Sequence, residues 1–157
     1  MYGAGDIKIG HSYDKQLSKH KARKKGAEIR EAYIEAIPGL KELLAAVHKR
    51  SKEGFVFGLD NRRILVDSRH KSLNYLLQGS AAIIAKKWMV LAHERLPDDT
   101  HQLAFIHDEL QYECPQTQAT EVGKILEITA KEAGEYYKMN CPVAAESKIG
   151  MTWADVH

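Results

Sequence analysis

The feature that most constrains the fold of this chain is the segment of residues 71–96, which contains no proline and is rich in Leu, Ala, Ile and Lys. Its large apolar residues recur at helical spacing, which predicts one long helix with a buried face. These residues are Leu73, Leu76, Leu77, Ile83, Ile84, Trp88 and Leu91. A helix of this length needs a surface on which to pack, and we expect that surface to be a β-sheet.

Four β-prone runs lie on either side of this helix in the sequence. They are residues 54–57, 62–66, 102–106 and 110–114. The turn-forming pair Asp60-Asn61 separates the first two runs and predicts a β-hairpin. The last two runs flank His107-Asp108-Glu109 and predict a second hairpin with the acids at its bend. A final strand is expected over residues 143–147.

Helical patterns cover most of the remaining chain. Residues 18–36, 38–52 and 116–137 are helix-compatible, and Pro38 separates the first two segments because proline disfavours helical geometry in the residue before it. Lys and Arg occupy six of the eleven positions in residues 15–25, so positive charge is concentrated near the N-terminus. The chain is therefore predicted to be one α+β unit with an antiparallel sheet and a long packed helix.

Composition limits the class of protein. With 44% hydrophobic and 28% charged residues among 157, the chain can bury a core and is globular rather than disordered. No apolar run approaches the roughly 20 residues of a membrane-spanning helix, so no membrane partner is expected. Cys114 and Cys141 form no CxxC pair, which argues against a zinc site or a disulfide framework and favours a reduced, intracellular setting.

The residues with the clearest chemical meaning are Asp108 and Glu109, two adjacent acids that interrupt an apolar, strand-like run. Carboxylates that are desolvated against strands repel each other, and a divalent cation is the usual means of keeping both ionised. Oxygen ligands suit Mg²⁺ or Mn²⁺. The alternative interpretation is an exposed β-turn, in which Asp and Glu are common and carry no function.

Five motifs occur in order along the chain, namely Tyr2–Gly10, Gly58–Arg63, Leu73–Ser80, His107-Asp108-Glu109 and Gly150–His157. Together they resemble family A DNA polymerases, those similar to bacterial DNA polymerase I and especially the compact replicative enzymes of short-tailed phages. In order, they resemble the end of the nucleotide-binding fingers helix, the "LDGRR" hairpin, the "LNxxLQ" start of the long palm helix, the final catalytic motif and the C-terminus. Asn61 stands where the hairpin motif usually has glycine, and both residues tolerate positive φ.

The resemblance implies a domain organisation and a metal site. Residues 1–53 would be the C-terminal part of the helical fingers, and residues 54–157 would be the C-terminal half of the palm with its antiparallel sheet. Asp108 and Glu109 would be catalytic residues of a two-ion Mg²⁺ site, Asp108 as a direct ligand and Glu109 as a less direct support.

The same resemblance implies contacts with primer-template DNA and dNTP. His107 would lie against the primer terminus, while Asn74 and Gln78, four residues apart on one helix face, would reach the minor groove and test base-pair geometry. The further DNA-binding candidates are His70, Tyr2, Gly3 and Arg63. Of these, His70 stands where bacterial relatives often have arginine, and Tyr2 stands where the fingers tyrosine stacks near the templating base.

The resemblance is also incomplete. The helix that grips the triphosphate, and the earlier palm motif "DYSxxE" whose aspartate completes the metal pair, have no counterpart in the chain. Asp67 is the only other acid beside an apolar strand-like run, and we expect it to cap the following helix. We therefore expect either a split-gene subunit or a fragment that needs an N-terminal half bearing the thumb, the first palm aspartate and the fingers helix. Its exposed apolar surface would favour self-association.

Two alternatives stay open at this point. A DNA-binding module without chemistry would retain Asn74, Gln78 and the basic run of residues 15–25, which would supply salt-sensitive affinity unless it is only a solvated helix face. A metal-dependent nuclease would need a further carboxylate or histidine cluster that the sequence does not show. The expected location is the cytoplasm of a bacterium or of a phage-infected cell.

Overall fold

The computed structural model describes residues 4–156, so the predictions for Tyr2 and Gly3 lie outside the described residues. Within this range the elements are α1 (Asp6–Tyr13), α2 (Lys19–Ala36), α3 (Leu40–Arg50), β1 (Phe55–Phe57), β2 (Arg63–Leu65), α4 (Ser72–His93), β3 (His101–Ile106), β4 (Glu109–Glu113), α5 (Ala119–Tyr136) and α6 (Trp153–Val156). Short 3₁₀ turns, Ser51–Glu53 and Arg69–Lys71, precede β1 and α4. This mixture of helices and antiparallel strands confirms the predicted α+β class.

The four strands form two separate two-stranded antiparallel sheets within the described residues. β1 pairs with β2 so that Phe57 faces Arg63, and β3 pairs with β4 so that Ile106 faces Glu109. The register of the second pair shifts at Leu103, which is 60% exposed, as expected for the extra residue of a β-bulge. Both predicted hairpins are confirmed, with Glu109 in the strand rather than in the bend.

The helix boundaries follow local signals. The Ser18 hydroxyl accepts a hydrogen bond from the backbone N–H of Lys21 at 3.4 Å, which marks the N-terminus of α2. Gly39 precedes α3 with a φ of 81°, a conformation that glycine adopts at little cost. The sequence patterns do not predict α1, which is held by contacts with α2 rather than by a strong periodicity of its own.

A pair of glycines lets α1 and α2 approach closely. A Cβ atom on Gly10 would collide with the backbone carbonyl of Ala22, and one on Gly26 would collide with that of Asp6. The Arg30 side chain then joins the two helices, because its Nε donates to Asp6 Oδ1 at 2.7 Å and its Nη2 donates to the backbone oxygen of Ala4. The start of α1 is therefore held in place by α2.

In the second half of the chain, α4 packs against α5. The indole N–H of Trp88 donates to the backbone oxygen of Leu126 at 2.8 Å, and Arg95 forms an ion pair with Glu132 at 2.6 Å. Small, fully buried residues occupy this region, namely Ala92, Ala130, Ala133 and Thr129. The long packed helix is confirmed, but its predicted apolar stripe is only partly covered, since Leu77 is 46% exposed among the described residues.

The predicted strand over residues 143–147 is wrong. This segment lies along α5, where the backbone N–H and the hydroxyl of Ser147 both donate to the Glu127 carboxylate, at 2.9 and 2.6 Å. Gly134 and Gly123 provide the space for Val143 and Ser147. An alternation of apolar and polar residues suits a segment with one side against a helix as well as it suits a strand, so the pattern alone is ambiguous.

The chain divides into two compact units, Met1–Gln78 and Gly79–His157, with the division inside α4. The predicted fingers–palm boundary at residue 53 was drawn from the family resemblance and not from contacts within the chain, and it stays a prediction. None of the helices within residues 4–156 is both long and apolar enough to cross a lipid bilayer.

Candidate functional site

The bend of the β3–β4 hairpin is a two-residue loop formed by His107 and Asp108, because Ile106 and Glu109 are already paired across the strands. His107 has a φ of 57°, the left-handed conformation that the first residue of a tight hairpin loop requires. A residue with a side chain costs roughly 1–2 kcal/mol in this conformation. The hairpin thus places Asp108 at its tip and Glu109 at the start of β4.

The two acids of this bend lie in different environments. Asp108 is exposed, and within residues 4–156 its carboxylate carries neither a hydrogen bond nor an ion pair. Glu109 is half-buried, and its Oε1 accepts a hydrogen bond from the side-chain amide of Gln111. The expected desolvation of both carboxylates is therefore wrong for Asp108, because a residue at the tip of a hairpin projects beyond the strands that would exclude water.

Gln111 is a site residue that the sequence analysis missed. It lies two positions after Glu109 on β4, so both side chains project from the same face of the strand. Its amide holds one oxygen of Glu109 and thereby limits the orientations of that carboxylate. The two-residue spacing on a predicted strand was the signal that could have identified it.

The donor set of the hairpin suits Mg²⁺ in part. This ion is commonly bound by one or two carboxylates, with water and substrate phosphates completing its octahedral shell. An exposed, unbonded aspartate beside an oriented glutamate meets the first requirement. Within residues 4–156, however, no group of three or more His, Cys, Asp or Glu side chains is arranged to hold a metal ion. Further ligands would have to come from elsewhere.

Asn74 and Gln78 both lie on α4, as predicted, one turn apart. Gln78 is exposed, whereas Asn74 is half-buried and its Oδ1 is fully buried without a hydrogen-bond partner among the described residues. A buried amide oxygen that lacks a partner costs roughly 1–3 kcal/mol. Asn74 is thus a polar group whose hydrogen-bonding capacity residues 4–156 do not satisfy.

His70 does not continue this helix face. It lies in the 3₁₀ turn Arg69–Lys71, before α4 begins, and its Nδ1 is 2.8 Å from the Ser68 hydroxyl. Because a 3₁₀ turn has a different rise and rotation per residue from an α-helix, His70 does not share the α4 face of Asn74 and Gln78. Its role in DNA binding stays a prediction.

Asp67 does not cap α4, contrary to expectation. Its Oδ1 accepts a hydrogen bond from the phenol of Tyr75 at 2.8 Å. This bond, together with partial burial and the negative charge of Asp67, raises the pKa of Tyr75. Asp67 therefore accepts from a side chain of α4 eight residues later and not from the backbone N–H groups at the start of the helix. This side-chain bond connects Asp67 to α4.

Arg63 lies at the start of β2 in an aromatic cluster. Its guanidinium is 4.8 Å from the centre of the Phe55 ring, and the Arg50 guanidinium is 4.8 Å from Phe55 and 4.5 Å from Phe57. Such cation–π contacts at exposed positions contribute roughly 0.5–1 kcal/mol each. The Arg63 side chain is thus already engaged with the hairpin, and its contact with DNA stays a prediction.

The site residues belong to two different compact units. Arg63, His70, Asn74 and Gln78 lie in Met1–Gln78, and the His107–Glu109 bend with Gln111 lies in Gly79–His157. Tyr2 and Gly3 precede the described residues, although Ala4 and Asp6, which follow them, are both held by Arg30.

Comparisons with known proteins support the resemblance seen in the sequence. The family described as DNA polymerase family A matches residues 1–155. The DNA-directed DNA polymerase of Enterobacteria phage T3 is 29% identical over 100% of this chain and 25% of its own length, and that of Escherichia phage T7 is 28% identical over the same shares. DNA polymerase I of Aquifex aeolicus is 33% identical over 80% of this chain and 23% of its own length.

A solved structure has a similar fold. It is the POL domain of Pol1 from M. smegmatis in complex with DNA primer-template and dNTP, with a TM-score of 0.73 and 22% identity. The similarity covers 90% of this chain and 26% of that one. The chain thus spans about a quarter of the length of the relatives it matches.

Proposed function

Since this chain belongs to DNA polymerase family A, we propose that it contributes the Asp108 carboxylate to the active site of a DNA-directed DNA polymerase. The observation that carries the proposal is the β3–β4 hairpin, which presents Asp108 at its tip, exposed and unbonded among the described residues. A carboxylate in this position can bind a cation without first breaking an internal contact.

In this proposal Asp108 is a direct Mg²⁺ ligand, and Glu109 is a nearby carboxylate whose orientation depends on Gln111. When bound, Mg²⁺ ions at such a site lower the pKa of the primer 3′-hydroxyl and neutralise the triphosphate of the dNTP. His107 lies next to Asp108 in the two-residue loop and is exposed, which suits a contact with the primer terminus.

The proposed partners are primer-template DNA, dNTP and a complementary N-terminal polymerase half. The chain matches only about a quarter of its phage relatives, and residues 4–156 supply no third metal ligand beside Asp108 and Glu109. We propose that the complementary half supplies the first palm aspartate, the fingers helix and the thumb. Leu103, Ile106 and Ile128, at 60%, 41% and 53% exposure, are apolar surface that such a half, or self-association, would cover. Given the phage and bacterial relatives, the proposed location is the cytoplasm of a bacterium or of an infected cell.

Primer extension tests this function directly. The chain, the complementary N-terminal part of a family A polymerase, or both are incubated with primer-template, dNTP and Mg²⁺. We expect synthesis only from the combination, and Asp108→Asn should lower it by at least about 100-fold, since a positioned group that stabilises transition-state charge contributes this much. Asp98→Asn, which removes one charge from another exposed position of the second unit, is the matched control and should retain synthesis. Retained synthesis in Asp108→Asn would refute the assignment.

A DNA-binding module without chemistry is the second candidate, and the exposed amide of Gln78 on α4, which is free to reach a bound strand, favours it. It predicts salt-dependent binding of primer-template by the chain alone, with no synthesis in the combined reaction. Asp108→Asn would then bind as the unaltered chain does. The nuclease alternative needs a further cluster of metal ligands, and residues 4–156 hold none.

A further inference from the structure

The segment of residues 67–71 connects β2 to α4, the helix that carries Asn74 and Gln78. We call it the entry turn, and it lies with these two residues in the first compact unit. Inside the entry turn, the Ser68 hydroxyl lies 2.8 Å from Nδ1 of His70. The imidazole of His70 is therefore held by the entry turn itself and not by α4.

Two side-chain hydrogen bonds tie the entry turn to α4. The phenol of Tyr75 donates to Asp67 Oδ1 at 2.8 Å, and the buried hydroxyl of Ser72 donates to the backbone oxygen of Arg69 at 2.7 Å. Such bonds are needed because the turn is 3₁₀ and not α-helical, so helix geometry does not fix the position of His70 relative to the polar face of α4.

The two bonds differ in what they accomplish. The Ser72 bond is local, since a hydroxyl at the start of a helix readily bonds a carbonyl three residues earlier. The Tyr75 bond spans eight residues and reaches the first residue of the entry turn. Its acceptor, Asp67, is a carboxylate, and hydrogen bonds to ionised acceptors are stronger than those between neutral groups. The Tyr75–Asp67 bond therefore fixes the whole length of the turn against the helix.

Tyr75 is placed so that it can hold the turn without covering the polar face of α4. It directly follows Asn74 in the helix, and consecutive side chains project about 100° apart because the helix has about 3.6 residues per turn. Asn74 and Gln78, four residues apart, share a different side of the helix. The phenol is thus directed to the entry turn while the Asn74–Gln78 face stays separate from it.

The charge of Asp67 indicates that the carboxylate serves as a hydrogen-bond acceptor. Asp67 is exposed and lies three residues before His70, a predicted DNA-binding residue. A negative charge at such a position repels the phosphates of a bound strand. Its electrostatic effect on DNA binding is therefore unfavourable, whereas its bond to Tyr75 gives it a positioning role.

We propose that Tyr75 and Asp67 are positioning residues for recognition of the minor groove, and that their hydrogen bond sets His70 relative to Asn74 and Gln78. The inference deepens the proposed function and rests on it, because it takes from it that these three side chains contact primer-template DNA. The minor-groove acceptors of correct base pairs occupy similar positions, so donors that test pair geometry must be held to within about 0.5 Å. Neither positioning residue touches the DNA.

The test measures binding of fluorescein-labelled primer-templates to the full chain by anisotropy, without Mg²⁺ or dNTP. One duplex is fully matched and the other has a mismatch in the terminal base pairs of the primer. The unaltered chain should bind the matched duplex more tightly. Tyr75→Phe keeps the ring and removes the donor, and it should lower the matched-to-mismatched ratio of affinities about 3-fold, a factor typical of one hydrogen bond.

Variants of Asp67 separate the hydrogen bond from the charge. Asp67→Asn removes the charge but keeps an acceptor oxygen, so it should retain the ratio of the unaltered chain. Asp67→Leu removes both, and its ratio should fall as it does in Tyr75→Phe. The double variant Asp67→Leu with Tyr75→Phe should show no further loss, since the two substitutions remove the same interaction.

The second compact unit supplies a matched control. The phenol of Tyr112 donates to Gln102 Oε1 at 3.4 Å, so Tyr112→Phe removes another phenol that bonds a side-chain oxygen. This variant should leave the affinity ratio unchanged. Circular dichroism verifies the fold of each variant, and the retained ratio in Asp67→Asn distinguishes positioning from a general loss of structure.

Three results would overturn the proposal. A chain that binds both duplexes equally has no geometry-dependent contact for the turn to position. An unchanged ratio in Tyr75→Phe would show that the bond is not needed, and an equal loss in Asp67→Asn and Asp67→Leu would show that the charge acts. The measurement involves neither Asp108 nor a metal ion, so a failure of the synthesis test leaves its outcome unaffected. Synthesis that persists beside an unchanged ratio would refute the positioning role alone.

Discussion

The two hairpins of this chain have the same ingredients and differ in how their acids are bonded. Each has an aspartate in its loop and a non-glycine residue at positive φ, Asn61 at 61° and His107 at 57°. The Asp60 carboxylate accepts hydrogen bonds from the backbone N–H and the guanidinium of Arg62, at 3.2 and 2.6 Å. Asp108 has no such partner among residues 4–156.

This contrast explains how a structural acid differs from a candidate ligand. A carboxylate whose lone pairs are occupied by its own loop stabilises that loop, and binding a cation would first require those bonds to break. A carboxylate without partners is held only by the backbone and can accept a ligand at once. The presence of an aspartate in a turn therefore does not distinguish a structural acid from a candidate metal ligand, whereas its hydrogen-bond partners do.

The largest effect that separates the two hairpins should come from removing one side chain that holds an acid in each hairpin, Gln111 beside Glu109 and Arg62 beside Asp60. Gln111→Leu removes the hydrogen bond from the Gln111 amide to Glu109, and we expect DNA synthesis by the combined polymerase halves to fall about 10-fold, as is typical when a group that orients a metal-site residue is lost. Arg62→Met removes the guanidinium from Asp60, leaves only the backbone hydrogen bond, and should keep synthesis within about twofold. Steady-state primer extension measures both. A comparable loss in the two variants would mean that the hairpins do not differ in function.

A smaller effect on stability should come from the loop residues at positive φ. Glycine adopts this conformation without strain but loses more chain entropy on folding, so His107→Gly should raise the free energy of unfolding by roughly 0.5 kcal/mol. Asn61→Gly should raise it by less, because asparagine tolerates the left-handed region better than histidine does. Urea denaturation measures both changes. Destabilisation by His107→Gly would show that the imidazole makes contacts that stabilise the hairpin.

His107→Gly also separates stability from function. If the imidazole lies against the primer terminus, the same variant should bind primer-template more weakly although it is more stable. Asn61→Gly lacks this second effect and serves as its control.

The smallest effect should be on the pH dependence of stability, through the Asp60 carboxyl of the first hairpin. Partial desolvation opposes ionisation of Asp60, but the hydrogen bonds and the charge of Arg62 outweigh it and lower the pKa of this carboxyl below its ordinary value of 3.8. Because the pKa is depressed in the folded state, the stabilisation is present above about pH 4 and is lost as the pH falls through the lowered pKa. Asp60→Asn should abolish this contribution, and Arg62→Met should reduce it, because the backbone N–H of residue 62 would still donate to Asp60. Unfolding between pH 2 and pH 6 tests it, and an unchanged acid slope in both variants would contradict it.

Much of the fold was predictable because the determining signals are local. The β-prone runs and the turns between them identified both hairpins, and the helical pattern and Pro38 marked helix ends to within a few residues. The segment at residues 143–147 was assigned wrongly because the same alternation suits a strand and a segment packed along α5. Burial of Leu77 was overestimated, since periodicity identifies a face of a helix but not what covers it.

The candidate site was predictable in its residues but not in its geometry. The motif order pointed to Asp108, Glu109 and Asn74 as candidates, because a motif is a pattern of residue types. It could not show that Asp108 is exposed, that Gln111 holds Glu109, or that Asp67 bonds Tyr75 rather than a helix end. Each of these depends on the direction in which a side chain projects.

The sequence by itself determined most of the elements of this protein and the acid at the hairpin tip, which follow from neighbours within a few residues. It also determined the kinship with family A polymerases, which follows from the order of the five motifs. Only the tertiary structure decided which charged groups are engaged. Arg30 is engaged with Asp6, Glu127 with Ser147 and Asp60 with Arg62, whereas Asp108 is exposed and unbonded among the described residues. Most of these contacts join residues far apart in the chain, and the packing of helices and strands, rather than local preference, brings such partners together.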